Sequence, residues 1–292
     1  MSASADVLNP AGATRRVSFS RRRLTSWLGW GLAGFAFAVL GLVLLYLLVF
    51  VMLRGGASIH LKTFVEDTQG ISGGLRNAIV GSLAISGGAL FVAAPVGISA
   101  GVYLAEYGDG WLGMVGRFLS DVLVGVPSIV LGYFGYITMV IGFGWRFSLA
   151  AGSLTLAIMM LPYIARTTEL ALRQIPHNIR EAAYGLGSSE RRVILRVLLP
   201  AALMPVLTGV LLALAIALGE TAPLLYTAGW SNYLWSGHLT HEGVGYLTYV
   251  IWSFISEPYA SAHRLAYAAA LLITLMVLAI NLLARTMLKR RR

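Results

Sequence analysis

Few residues in this chain are equipped for chemistry, and they are scattered. Glu220 is the most distinctive: a carboxylate that closes the apolar run Val197–Leu218, with Gly219 before it and Thr221 and Pro223 after it. An ionisable group at membrane depth is a functional candidate by default. A carboxylate repels an anion, so Glu220 reads as one partner of a structural or gating charge pair. Its arginine would come from this chain or from a companion subunit. The bland alternative is an interfacial carboxylate in contact with water. Ile216 and Leu224 stand one turn to either side, so no basic residue lies at helical spacing. Gly219 and Pro223 weaken the helix here and predict a bend. Asp121 reads as an acid near the start of a helix, favoured by the dipole. Pro127, just after it, predicts a kink, and Arg146 reads as an interfacial anchor.

Other arrangements fail on context. Gly29–Gly34 and Gly108–Gly113 both fit G-x-G-x-x-G, but neither follows a strand nor opens a nucleotide-binding helix. A P-loop needs Gly-Lys, whereas Lys62 and Lys289 follow Leu61 and Leu288. The chain therefore carries no P-loop, and ATP-driven work would require a partner. His238, His241 and Glu242 share a loop with no matching ligand cluster elsewhere, so no metal site is expected. No cysteine is present. No catalytic group and no cofactor of its own is expected for this chain.

The elements that must hold these residues are membrane helices. Of 292 residues, 58% are hydrophobic and 12% charged, about half the charged share of soluble domains. Six stretches approach the roughly 20 apolar residues that a bilayer requires: Trp27–Leu53, Asn77–Leu104, Val115–Ile141, Phe147–Arg166, Val197–Leu225 and Ala262–Leu288. The first is too long for a signal h-region of about 7–15 residues. The chain carries a net charge of +10, and its basic residues are unevenly distributed. With the N-terminus inside, 17 of the 22 Lys and Arg residues fall on the cytoplasmic side. The positive-inside rule then predicts both termini in the cytoplasm and removes the need for a nucleic-acid partner. The expected organisation is a tail over 1–26, a multi-span membrane domain over 27–288, and a basic end over 289–292. Gly97 and Gly101 form a GxxxG pair suited to close helix packing.

The segment Arg166–Pro200 is too well punctuated for a connector. Pro176 suits the first turn of a helix. Gly185 and Gly187 permit a break with positive φ. Ser188 or Ser189, followed by Glu190, suits a second helix start. Two short helices at a glycine bend would join two spans directly, as a mechanical coupling element requires. A basic hairpin lying on anionic lipid is the alternative. On the other side, 226–261 is rich in aromatics, including Trp230, Trp235, Tyr246, Tyr249 and Trp252. It reads as an aromatic belt or a docking ledge, with Val244–Ile255 lying flat or re-entering.

Within the hairpin, Glu181-Ala182-Ala183, then Gly187, then Val197-x-Leu199-Pro200 resembles the EAA motif of permease subunits of binding-protein-dependent ABC importers. Val197 stands where the usual pattern has Ile. The segment Gly219-Glu220-Thr221-Ala222-Pro223-Leu224-Leu225 is similar to phosphate permeases of the PstA type, with Ile216 where that family often has arginine. The resemblance implies an all-α polytopic fold of the type I ABC-importer (MetI-like) class with about six transmembrane helices. It implies that the EAA residues dock on a cytoplasmic ABC ATPase dimer, which would hold ATP and Mg. It further implies a related second permease, an extracytoplasmic phosphate-binding protein, and a multi-pass place in the bacterial inner membrane. Alternatives are a permease for sulfate or molybdate, an ion-coupled secondary transporter using Glu220, or a scaffold without transport.

Overall fold

The computed structural model describes residues 19–289; residues 1–18 of the tail expected over 1–26, and the last three residues, lie outside them. Two compact units are present, one through Phe50 and the other from Val51 to the C-terminus. Helix α1, Phe19–Ser58, begins ahead of the expected tail boundary at 26; its part through Phe50 supplies the described part of the first unit, and its last turns belong to the second. It contains no proline, and its apolar side chains from Trp27 to Leu48 are exposed. Exposure on this scale suits a lipid solvent.

The second unit contains every other element. Short α2 (Leu61–Val65) leads into a two-residue hairpin, β1 (Thr68–Gln69) antiparallel to β2 (Ser72–Gly73). Then follow α3 (Arg76–Glu106), α4 (Trp111–Gly125), α5 (Ser128–Gly135) with a π-helical extension to Gly142, and α6 (Leu149–Arg173). Two short helices, α7 (His177–Gly185) and α8 (Glu190–Val193), join α6 through a π-helical segment, Ile194–Leu198, to α9 (Leu199–Leu218). The chain closes with α10 (Ala222–Thr227), α11 (Leu247–Phe254) and α12 (Ala260–Lys289).

Among the described residues, five helices are long and apolar enough to cross a bilayer, or six if the pair Trp111–Gly125 and Ser128–Gly142, bent by 102° at its break, is taken as one span. The third expected span is therefore two helices rather than one. Pro127 lacks an N–H and restricts the residue before it, so α4 stops there. The fifth span ends at Leu218, not Leu225. The fourth helix runs past Arg166 to Arg173, which shortens the expected hairpin by about two turns. Asp121 lies in the last turns of α4, on the exposed side, and so is not the helix-starting acid that the sequence suggested.

The core is the α3–α6 pair. Across it, Gly88 faces Ser153, Gly97 faces Ile164 and Gly101 faces Thr168. Both numbers rise together, so the two helices run parallel, as alternate spans must. A Cβ on Gly101 would lie 2.5 Å from Thr168 Cβ and 2.6 Å from the Ala165 carbonyl oxygen. The GxxxG pair is thus the point of closest backbone approach, which only a missing side chain permits. Helix α9 packs antiparallel to α6, with Gly209 against Thr167. A second core joins Leu247, Val250 and Phe254 of α11 to Leu265, Ala266 and Ala269 of α12.

Candidate functional site

Two places hold the residues that sequence singled out, at opposite ends of α6. At the end where α6 finishes, α7 and α8 form the expected pair of short helices. Pro176 is the residue just before α7 rather than within its first turn. Gly187 has φ +73°, a conformation that favours glycine, and a Cβ there would meet nothing. The glycine is required by the turn and not by crowding. Ser189 occupies the N-cap position of α8 without a side-chain cap bond, and Glu190 sits in the first turn. Ala183 is buried with Val193 and Ile194 in the main core, whereas Glu181, Ala182 and Gly187 are exposed. The two alanines therefore do different jobs: one seats the hairpin on its own protein, and the other belongs to the outward face. Val197 lies in the π-helical segment, and Leu199 and Pro200 open α9.

This hairpin is pinned by charge. Arg180 donates to Glu106 Oε1 at 2.9 Å and to the Ile175 and Leu172 carbonyls at 2.8 Å. Both side chains are largely buried, at 14% and 12% exposed. Tyr107 donates to the Glu190 carboxylate, an interaction that raises the tyrosine's pKa above its ordinary value. Helices α7 and α8 are thereby both tied to the end of α3. Beside them, Glu169 of α6 is buried and held by Arg117 of α4 at 2.7 Å, by Arg173 at 3.1 Å and by Arg166 at 3.6 Å. Arg117 also donates to the Gly108 and Leu104 carbonyls at 2.8 and 2.9 Å, and Arg173 donates to Leu104 at 3.2 Å. The last carbonyls of a helix lack intrahelical donors, and two arginines supply them here.

Sequence reasoning counted Arg117, Arg173 and Arg180 only as positive charge on one side. It passed over Glu106 and Glu169. The available signal was the pair Glu169 and Arg173 at i,i+4. The partners 52 and 74 residues away could not be read from spacing.

At the other end of α6 lies Glu220, between α9 and α10. It is half-buried and sits against the Ser128 side chain at the start of α5. Its backbone carbonyl accepts from Thr248 Oγ1 at 2.8 Å. The bend expected from Gly219 and Pro223 is present: α9 stops, Thr221 precedes α10, and Pro223 is buried in the first turn. A Cβ on Gly132 would lie 2.5 Å from Pro223 Cα, so α10 rests directly on the α5 backbone. Two broken helices thus meet, one broken at Pro127 and the other at Gly219–Thr221, with Glu220 at the junction. Among the described residues Glu220 makes no ion pair. The arginine partner expected for it is not supplied by the described part of this chain.

The aromatic segment divides in two. Trp230 stacks on Tyr249 with centroids 4.4 Å apart, and Tyr246 is buried between Tyr249 and the main core. Tyr233, Trp252 and Tyr259 are exposed. Within Val244–Ile255, Leu247–Phe254 is a helix whose inner side is core. Among the described residues no group of three or more His, Asp or Glu side chains is placed to hold a metal. Glu242 is hydrogen-bonded to Ser236, and His241 contacts Thr240.

Residues 97–291 match the family of binding-protein-dependent transport system inner membrane components. The chain belongs to that family. It is 44% identical over 280 residues to the phosphate transport system permease protein PstA 2 of Mycobacterium bovis, covering 95% of this chain and 93% of that protein. It is 42% identical over 253 residues to the phosphate transport system permease protein PstA of Yersinia pestis, covering 85% of each. Among solved structures it resembles an inward-facing form of the MetNI methionine ABC transporter, with a TM-score of 0.62 at 21% identity over 74% of this chain and 95% of that one. At that identity the likeness establishes the fold, which is the MetI-like all-α membrane fold. Membership makes this chain an ABC-importer permease and removes the ion-coupled secondary transporter and the inert scaffold. The match covers α4 to α12, and so includes both the pinned hairpin and the Glu220 junction.

Proposed function

We propose that this chain is one permease subunit of an importer for inorganic phosphate, driven by a separate ATPase. The observation that carries the mechanism is the Arg180–Glu106 tie. It fixes the exposed Glu181-Ala182 face to α3 while α7 and α8 run directly into α6 and α9. A cytoplasmic ABC ATPase dimer docks on that face, with Gly187 at the turn. Its closure on ATP and Mg displaces the hairpin, and α3, α6 and α9 tilt with it because no loose linker intervenes. Val197, Leu199 and Pro200 carry the displacement into α9, whose far end is the Glu220 junction. Breaks at both Pro127 and Gly219 let the outer halves move separately from the inner halves, and buried Pro223 keeps the two breaks together. Glu220 and Thr221 act there as a gate.

The remaining partners follow. A second, related permease completes the path between subunits and supplies the basic group that Glu220 lacks. An extracytoplasmic binding protein delivers phosphate to the aromatic side, where Tyr233, Trp252 and Tyr259 are exposed. Both termini are cytoplasmic, since the Arg-rich end of α6 and the hairpin lie on one side. What supports phosphate over another oxyanion is the similarity to phosphate permeases over nearly the whole chain. Sulfate or molybdate remains the competing cargo.

The test is ATPase activity and uptake in the complete reconstituted transporter. Phosphate-loaded binding protein should stimulate both. Stimulation by sulfate instead would overturn the cargo. Arg180→Ala should leave basal ATPase activity in place but cost about 2 kcal/mol of hairpin anchoring, so uptake falls while hydrolysis continues. Equal loss of both, or of neither, would overturn the coupling role.

A further inference from the structure

The end of the second unit opposite the arginine cluster contains a cavity of about 340 Å³ with no assigned role. It lies between α2, the β1–β2 hairpin and the first turns of α12. Lys62, Arg264, His60, Ser261, Ser72 and Leu265 line it. The lining includes two cations and several hydroxyls but no carboxylate. The nearest acid interaction is that of Glu66 with Lys62, 3.8 Å apart on an exposed surface, a pair of a kind that contributes little. Arg264 has no ion-pair partner among the described residues. An ammonium, a guanidinium and hydroxyls facing one space are the donor set that recognises a phosphate group.

The surroundings define what that phosphate is attached to. Leu61, Phe64 and Val65 of α2 all point outward and are exposed, Leu61 at 80%. A five-residue helix with three bare apolar side chains is poorly placed in water, whereas beside acyl chains it is well solvated. The cavity has the capacity of a small-molecule site rather than of a single small oxyanion. Apolar rim and basic hollow together match an amphiphile at the membrane boundary.

We propose that this cavity binds the phosphodiester headgroup of an anionic phospholipid, with the acyl chains against Leu61, Phe64 and Val65. The lipid then bridges α2, the hairpin and α12. The site is separate from Glu220 and independent of which oxyanion is carried.

The test uses the assembled transporter, delipidated in detergent and titrated with dioleoyl-phosphatidylglycerol under native mass spectrometry. Wild type should bind one phosphatidylglycerol more tightly than phosphatidylcholine. The double variant Lys62→Gln, Arg264→Gln should bind it about tenfold more weakly, given the attraction of each basic residue for an anionic lipid. Arg146→Gln, at another exposed arginine, should leave binding unchanged. Lys62→Gln alone, at a side chain that is 80% exposed, keeps the test open if the double variant does not assemble, and should show a smaller loss. A second arm adds inorganic phosphate: phosphatidylglycerol that stays bound supports the headgroup. Displacement by inorganic phosphate would overturn the lipid assignment in favour of the free anion. Equal lipid binding by wild type and variants would overturn the site altogether.

Discussion

The two ends of α6 are built on opposite plans. Where α6 finishes, buried charge is abundant and nearly every group is paired. Glu169 is held by three arginines, Arg180 reaches Glu106 and two carbonyls, and Arg117 closes the end of α3. Where α6 begins, around Glu220, helices are broken and charge is sparse. Contacts there are made by glycine against backbone, as at Gly132 and Pro223, and by single hydroxyls such as Thr248 and Ser128. Charge-assisted bonds with fixed forks resist displacement because losing one leaves a buried ion unpaired. Small-residue contacts carry no such penalty and permit sliding. One end is therefore suited to receive force as a rigid body, and the other to yield to it.

The contrast is most sharply tested by Arg117→Ala. It strips Glu169 of its closest partner and removes the donors to two carbonyls, those of Gly108 and Leu104. A cost of about 3–5 kcal/mol is expected, read as a lowered thermal midpoint and poor recovery of the complex. A loss below about 1 kcal/mol would mean that the cluster is a solvated surface network and not a clamp.

Next in size is Gly101→Val, packed against Thr168 beside the charged end. The added side chain meets Thr168 and the Ala165 carbonyl. Overpacking should cost about 1–3 kcal/mol, with Gly87→Val, whose Cβ position is open, as the benign comparison measured by the same melt. At the loose end, Glu220→Gln should change stability by no more than about 1 kcal/mol yet reduce uptake. Uptake equal to wild type would remove Glu220 from the gate and leave it an interfacial carboxylate.

The smallest effect concerns Asp67, beside the outer hairpin. Arg76 donates to it at 2.9 and 2.8 Å and holds its carboxyl below the ordinary value of 3.8. A depressed folded-state pKa gives stability that is fully present above the unfolded value and is lost as pH falls through the folded one. Hairpin protection, read as amide exchange of 68–73 corrected for intrinsic rate, should therefore hold at pH 5 and fall below about pH 3.8. The pair is partly exposed, so the change should stay under about 1 kcal/mol. Asp67→Asn should abolish the dependence.

Much of this architecture was readable from sequence because it rests on local rules. Apolar length marked the spans, Pro127 marked the break in the third, and Gly187 marked a left-handed turn that few other residues adopt. The Gly97–Gly101 spacing marked the tight contact, although not its partner. The errors share one cause. Arg166 looked like the end of a span because it is charged, but Arg117 and Arg173 stabilise a buried Glu169 beyond it, and α6 continues. Leu225 looked like the end of another because α10 is apolar, although Gly219 and Pro223 had already broken the helix. In each case a residue distant in sequence decided an element that local pattern left open.

The sequence by itself determined a helical membrane chain with its basic residues gathered on alternate loops, a short-helix hairpin between the fourth and fifth spans, and a carboxylate set where two helix-weakening residues flank it. These follow from hydropathy and backbone preference, which act within a turn or two. Only the tertiary structure decided that Arg180 reaches Glu106, that Arg117 closes on Glu169, and that Gly132 of α5 rests on Pro223 of α10. Those are pairings between separate helices, and the choice among many possible partners is made by close packing, not by the residues alone.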